Sequence, residues 1–465
     1  MKFQIPSFIL FLMDKWIPPA IVSLIIISVI WPYFLIIIGA IGIIYLFLLR
    51  SINRRLPAPF ISFTENGDLK ISWYLKQKKN DNNRNNHENS FKEDLGSFHE
   101  TYLVLSNDPK GKNIIEEIYP QKKTQNEYTG NYSIFTVKID NLKVKEKANH
   151  RKVFYQVYRI SSSLKGKPNL ASSKECIWGG DEFYFILPKQ ESFTPKSFKK
   201  DEKKTEISIV ALGDLQPRAE IPPILQNRIL KQAEEHHPDL FLYLGDHTNE
   251  GISPTAWRQF FLLIGNLAKN TPILGVPGNH DTQLSREGGK RDITNAYKTH
   301  VNYPGDKQRY YIKIQGINII AFDFHTGFQK DSANYEIFEK CLKNMQEGDW
   351  VIVLWHSSPH NSLRTGKQQK IIRANIIPEL EKQGNVVWLG GHEHSYQRFK
   401  VRDTYYITSA ATSSFHDHHY NTEHMEKLIM KFHHLLIKVS KHKMKIKAID
   451  IWGKIIDDFV IKARK

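Results

Sequence analysis

The sequence predicts an α/β domain in the C-terminal half, an all-β sandwich ahead of it and an N-terminal transmembrane segment. Three observations predict this order. An apolar run without charge opens the chain, short alternating stretches without helical periodicity follow, and from Ile207 buried-type strands alternate with amphipathic helices.

A chain of 465 residues exceeds one ordinary hydrophobic core, so several domains are expected. Hydrophobic residues at 41% and charged residues at 24% exclude a disordered chain. The formal net charge of +17 attracts phosphorylated small molecules, nucleic acid and anionic lipid alike, so charge alone selects no partner. Cys176 and Cys341 fall in different expected domains, which excludes a disulfide framework and a thiolate metal site. Both are expected to be buried, as small apolar residues.

Residues 17–49 carry no charge. As one straight helix that stretch would be about 50 Å long, against about 30 Å of bilayer hydrocarbon. Trp31-Pro32-Tyr33 interrupts it, and Pro breaks the helical ladder while aromatic rings favour the headgroup region. Residues 1–56 are therefore expected to anchor the chain in a membrane, as a helical hairpin or as one kinked span. Arg50, Arg54 and Arg55 follow the run, and the positive-inside bias places the body on the cytoplasmic face.

Residues 57–190 are expected to form the sandwich. Stretches 70–75, 101–105, 133–139, 153–158 and 183–187 alternate as half-buried strands do, and no helix is expected among them. The Asn- and Lys-rich stretch 76–94 reads as a loop and 191–205 as a linker. Residues 206–465 form the α/β domain. Its core strands are expected at 207–212, 240–244, 273–276, 351–355 and 386–389, with helices ending near Glu235 and covering 257–267 and 335–345. Strands return at 435–439, 443–451 and 455–461.

Each buried-type strand ends in a polar cluster, where α/β folds place their ligands. These are Gly213-Asp214-Leu215-Gln216, Gly245-Asp246-His247, Gly278-Asn279-His280-Asp281, Trp355-His356-Ser357-Ser358-Pro359 and Gly390-Gly391-His392-Glu393-His394. A dinuclear metal site needs hard oxygen and imidazole donors from several segments, one carboxylate being shared. The five clusters together supply that inventory, and glycines before the donors let the backbone close in.

In this order the clusters resemble the calcineurin-like metallophosphoesterase family. Gly391-His392-Glu393-His394-Ser395-Tyr396-Gln397-Arg398 and the sandwich ahead of the domain resemble its purple acid phosphatase branch, which carries a fibronectin type III-like domain there. The resemblance implies a four-layer α-β-β-α fold and two divalent metal ions. It makes Asp246 the bridging ligand, with Asp214 and His394 completing one metal site and Asn279, His356 and His392 the other. It places His280 against the phosphoryl or leaving-group oxygen, with Asp281 holding its imidazole. Hydrolysis by a metal-bound hydroxide attacking phosphorus in line would follow. Ser357 and Ser358 are then loop residues rather than nucleophiles.

Two positions depart from the family. Gln216 stands where many members have His, leaving open whether it ligates or orients water. Asn249 stands where purple enzymes have the Tyr that favours ferric iron. Its loss argues for Mn²⁺, Fe²⁺ or Zn²⁺ and against a purple centre. Among other histidines, His247 is expected outside the ligand set, His360 is a candidate substrate contact, and His416, His418 and His419 form a solvated loop. Tyr396 and Arg398 are expected to support the His392–His394 loop.

The expected activity is phosphomonoester hydrolysis on a phosphorylated small molecule. The anchor motivates an alternative, a phosphodiesterase or lipid pyrophosphatase acting on headgroups, and Gln216 and Asn249 motivate an inactive metal-binding scaffold. Relatives in this family are commonly exported, which pulls the body to the outer face against the arginines. Nucleic acid is not expected as a partner, since the basic charge comes with no recognised motif.

Overall fold

A computed structural model describes Gly39 and residues 55–76, 101–149, 151–161, 173–186, 206–217, 223–281, 293–363, 366–410, 412–415 and 423–464. The chain divides into two compact units, Met1–Arg55 and Leu56–Lys465, and the second contains every element below. Among the described residues no helix is long and apolar enough to cross a membrane. The expected anchor, the 191–205 linker and His416, His418 and His419 lie outside the described residues.

The N-terminal strands are β1 (Phe60–Phe63), β2 (Leu69–Lys76), β3 (Thr101–Ser106), β4 (Ile114–Ile118), β5 (Lys122–Thr124), β6 (Tyr132–Ile139), β7 (Lys152–Ser161), β8 (Ser173–Trp178) and β9 (Tyr184–Ile186). One antiparallel sheet runs β1-β2-β6-β5 and the other β4-β3-β7-β8, with β9 added to β7. The inward positions set by the period-2 alternation fill the core, among them Ile71, Trp73, Phe135, Val137, Leu103, Leu105, Tyr155 and Val157. Two expectations fail here. A short helix, α1 (Asn141–Lys147), follows β6 because Asp140 caps it, its carboxylate accepting from Leu142 N at 3.0 Å and Lys143 N at 3.1 Å. Val144 is its one buried side chain, too little for a periodic signal. Cys176 is exposed, on β8, whereas Cys341 is buried as expected.

The α/β part begins with β10 (Ile207–Leu212), α2 (Ile224–Glu235), β11 (Leu240–Tyr243), α3 (Pro254–Ala268), β12 (Ile273–Gly275) and α4 (Ile293–His300). A second run follows: β13 (Tyr310–Ile314), β14 (Ile317–Ala321), α5 (Ala333–Asn344), β15 (Asp349–Leu354), α6 (Lys367–Asn375), α7 (Ile377–Gln383) and β16 (Gly384–Gly390). The chain closes with β17 (Tyr396–Val401), β18 (Thr404–Ser409), β19 (Met425–Ile429), β20 (His433–Val439), β21 (Lys443–Asp450) and β22 (Ile455–Lys462). One sheet runs β12-β11-β10-β20-β21-β22 and the other β13-β14-β15-β16-β18-β17-β19. Alternation assigns the layers. Ile319, Ile352, Leu354, Val387 and Leu389 share a core with Ile209, Leu242 and Ile437 of the first sheet and with Ile229 and Phe260 of α2 and α3. Their neighbours Ile320, Val351, Val353 and Trp388 pack instead against Phe338, Cys341, Ile372 and Leu380 of the later helices. The order is helix, sheet, sheet, helix.

The sandwich and the α/β part share one apolar core. Phe60 stacks on Phe261 with ring centroids 4.4 Å apart, and Tyr155 Oη donates to Lys269 O at 2.7 Å. Tyr74 Oη donates to His300 Nδ1 at 2.9 Å, and the other nitrogen of that ring donates to Tyr128 O at 2.9 Å.

Candidate metal centre

Strands β10, β11 and β12 are mutually parallel, as are β15 and β16, so their C-terminal ends lie side by side. The polar clusters begin there. Backbone bonds fasten neighbouring loops: Asp214 N donates to Gly245 O at 3.0 Å and Gly391 N to His356 O at 2.8 Å. Asp214 (φ 61°), Asp246 (φ 55°), His392 (φ 72°) and Gln216 (φ 38°) all sit in the left-handed region. Such conformations cost on the order of 1 kcal/mol each and gather at functional sites. Close approach explains two glycines. A Cβ on Gly278 would lie 2.0 Å from Asp246 Oδ1, and one on Gly391 would lie 2.3 Å from Asp214 Oδ2.

The donors converge. One ligand atom from each of Asp214, Asp246 and His356 lies within 4.8 Å of the others, and all three residues are buried. His356 Nε2 is 3.4 Å from Asp246 Oδ1 and 3.3 Å from Asn279 Oδ1. His392 Nδ1 is 2.9 Å from Asn279 Oδ1, and His394 Nε2 is 3.4 Å from Asp214 Oδ1. The six expected ligands therefore meet in one place. Each imidazole is aimed by its other contacts: His356 Nδ1 donates to Leu244 O at 2.8 Å, and His394 Nδ1 to Ser414 Oγ at 2.5 Å. His392 N bonds both carboxylate oxygens of Asp214, at 3.1 and 3.2 Å.

The charge distribution fits divalent cations. Burial pushes the Asp214 carboxyl up. Burial acts the same way on Asp246, but the facing His356 outweighs it and holds that carboxyl at about 2. Burial opposes a charge on His356 as well, yet Asp246 and Asp214 raise it to about 9. Among the described residues, histidines are the only cationic groups within ion-pair distance of these two carboxylates. Two buried carboxylates facing imidazoles are the mixed oxygen and nitrogen donors that suit Mn²⁺, Fe²⁺ or Zn²⁺.

The remaining predicted residues divide. Gln216 directs its amide N–H to Asp246 Oδ2 at 2.8 Å and accepts from Ser413 Oγ at 3.3 Å. His280 donates from Nδ1 to the backbone oxygen of Asn249 at 3.2 Å, so Asn249 contributes its carbonyl. Asp281 does not hold His280. Its carboxylate accepts from His247 Nδ1 at 2.7 Å, Thr248 N at 3.1 Å and Gly278 N at 2.9 Å, while the His280 ring bonds the Asn249 carbonyl instead. His247 is correspondingly a buried group outside the ligand set, its Nε2 accepting from Tyr303 Oη at 2.9 Å. His360, the candidate substrate contact, packs its ring on Tyr406, centroids 4.5 Å apart. Tyr396 and Arg398 brace the His392–His394 loop through Asp457 Oδ2, at 2.6 and 2.8 Å.

Three participants carried no sequence signal. Ser414 orients His394 from a loop without a motif. Glu393 accepts from Ser362 Oγ at 2.7 Å and Gln397 Nε2 at 2.9 Å, tying the His356 loop to the His392 loop. Phe324 lays its ring 5.4 Å from that of His356 and 5.7 Å from that of His392, with His325 beside it.

The donors gather within the segment 207–396, which matches the calcineurin-like phosphoesterase family. The chain carries a calcineurin-like phosphoesterase domain whose homologues are purple acid phosphatases. It is 23% identical over 228 residues to "Probable purple acid phosphatase 20" of Arabidopsis thaliana, covering 47% of this chain and 52% of that one. It is 22% identical over 151 residues to Purple acid phosphatase 15 of the same plant, covering 30% and 28%. The chain thus spans about half the length, or less, of these curated relatives. The purple acid phosphatase PPD1 from yellow lupin (Lupinus luteus) seeds superposes with a TM-score of 0.65 at 15% identity, covering 87% of this chain and 74% of that one, which establishes a shared fold.

Proposed function

We propose that the chain is a metal-dependent phosphoesterase that hydrolyses phosphomonoesters. The convergence of buried Asp214, Asp246 and His356 carries the reading. Asp246 would bridge two divalent ions, Asp214 and His394 completing one site and Asn279, His356 and His392 the other. Two such ions supply a water nucleophile at neutral pH and offset the charge that develops on the phosphoryl oxygens. The protein's own part is positioning. Gln216 holds Asp246 in its bridging orientation. The Asn249 carbonyl fixes the proton of His280 on Nδ1, leaving Nε2 to meet the phosphoryl or leaving-group oxygen. The named relatives are purple acid phosphatases, but Asn249 stands in place of the iron-binding Tyr, so the reading takes divalent metals without a purple ferric centre.

The charge-free run at 17–49 supports attachment to a membrane and motivates a second reading, hydrolysis of a lipid-linked phosphodiester or pyrophosphate. Arg50, Arg54 and Arg55 favour a cytoplasmic body. The test is hydrolysis of an aryl phosphomonoester and its diester counterpart by the full chain with Mn²⁺, Zn²⁺ or chelator. Metal-dependent turnover of the monoester that Asn279→Ala and His280→Ala lose is the expected result. Preference for the diester selects the second reading, and folded, metal-loaded protein without turnover overturns both.

A further inference from the structure

The sandwich meets the α/β part along a seam that concentrates positive charge. On the sheet β1-β2-β6-β5, Lys70 pairs with Lys138 and Ser72 with Thr136, while Lys122 of β5 also pairs with Thr136. Cross-strand partners share a face, so Lys70, Ser72, Thr136, Lys138 and Lys122 all emerge on one side. The 3.0 Å contact between Ser72 Oγ and Thr136 Oγ1 agrees. That side abuts residues 298–307. Asn302 Nδ2 donates to Ser72 Oγ at 2.9 Å, and Lys70 Nζ donates to Asn302 Oδ1 at 3.2 Å and Tyr303 O at 3.3 Å. Lys307 donates to the backbone oxygen of Lys298 on the same segment.

Compensation is missing. Lys138 is neutralised by Asp68 at 3.6 Å, but among the described residues Lys70, Lys122, Lys298 and Lys307 form no ion pair. An ammonium carries three N–H groups, so one on Lys70 and two on Lys307 keep no acceptor in the fold. Burial lowers Lys70 to about 8, with Lys122 adding to the effect and Glu65 opposing it. Burial lowers Lys307 to about 7, and Lys122, Lys70 and Lys298 all push the same way. Half-buried lysines such as Lys70 and Lys307 are stabilised by pairing, because desolvation and like-charge repulsion otherwise act together. An oxyanion with several acceptor oxygens would remove both penalties.

We propose that this seam binds a phosphate-type oxyanion through Lys70, Lys122, Lys298 and Lys307, at a site separate from the metal centre. The anion is either inorganic phosphate or the phosphoryl group of a larger molecule reaching in past exposed Lys122. The test is thermal unfolding of the full chain in chelator at constant ionic strength, titrated with inorganic phosphate or with phenylphosphonate. A saturable rise in midpoint marks binding, whereas the general salting effect of phosphate does not saturate. The rise is expected to vanish in the Lys70→Met/Lys307→Met double variant and to survive Asn279→Ala. Lys122→Glu, on the surface of a short edge strand, should shift saturation to higher phosphate even if the double variant folds poorly. Stronger binding of phenylphosphonate than of phosphate would identify a larger ligand. Absence of a saturable rise, a rise unchanged in the lysine variants, or one abolished by Asn279→Ala would each overturn the proposal; the outcome is independent of whether the metal centre turns over esters.

Discussion

Two sets of buried histidines show how the same side chain serves opposite ends. Around Trp257, the rings of His247 and His300 lie in an aromatic cluster, their centroids 5.6 and 5.1 Å from the indole. There the protein satisfies every ring nitrogen: Asp281 and Tyr303 for His247, Tyr74 and Tyr128 O for His300. At the metal centre His356 and His394 each have one nitrogen bonded to a neutral group, and the other is turned on a buried carboxylate 3.4 Å away. The first arrangement is closed and structural. The second leaves its donors to be completed by cations, which separates a binding site from a core more clearly than burial does.

The largest effect should come from the open set. Asp246→Asn keeps the shape but removes the shared charge, and kcat should fall by on the order of 10³-fold, equivalent to about 4 kcal/mol. Bound metal, measured by atomic absorption, should fall below two per chain. Full activity with normal metal content would end the assignment of Asp246 as the bridge. In the closed set, His247→Phe fills the space but strands Asp281 with only its two backbone N–H donors. Unfolding stability in denaturant should drop by about 3 kcal/mol. Metal content should stay unchanged. A loss of turnover without a loss of stability would move His247 out of the structural set.

Acid should separate the sets next. Burial lowers His300 to about 3 and His434 to about 3, the latter helped by His236 and His433, and burial lowers His433 to about 4 against the Lys431 carbonyl. Each is neutral when folded and, in the unfolded chain, titrates near the ordinary value of 6.5. Their stabilisation is therefore complete above that pH. Below it the unfolded state binds more protons, and stability declines by up to about 1.4 kcal/mol per pH unit per histidine until the folded values are reached. Denaturant unfolding of metal-free protein at pH 7 and pH 5 measures the slope. His300→Gln should make it shallower, by about 2 kcal/mol over that interval; an unaltered slope would mean that His300 is not held neutral.

The open set was legible in the sequence and the closed set was not, for a physical reason. Metal donors must sit at strand ends after sharp turns, so Gly245-Asp246 or Gly391-His392-Glu393-His394 announces itself locally. The partners that satisfy a buried histidine can come from anywhere: Tyr303 lies 56 residues from His247, and Tyr74 lies 226 from His300. Asp281 was misassigned to its neighbour His280 because adjacency in the chain is all a sequence offers, while Thr248 N and Gly278 N draw the carboxylate elsewhere. Core strands were read from their apolar runs. Strand β17 passed unnoticed because Gln397 and Arg398, committed to Ser362, Glu393 and Asp457, replace the alternation that would reveal it.

The smallest predicted effect concerns a histidine that belongs to neither set. Asn334 holds the 323–326 turn with bonds of 3.0, 3.0 and 2.9 Å to Asp323 N, Asp323 O and Thr326 O, and Arg309 adds one of 2.6 Å to Thr326 Oγ1. This braced turn presses Phe324 onto two metal-site histidines and leaves His325 exposed, with no hydrogen-bond partner for its ring among the described residues. Partial desolvation of the ring lowers its pKa, so it offers a substrate a neutral hydrogen-bonding group. His325→Ala should raise KM about fivefold, one hydrogen bond of about 1 kcal/mol, and leave kcat and stability unchanged. A fall in kcat instead would mean that the imidazole acts in the transition state. His280 would then share its proton-transfer role with a residue that no motif marks.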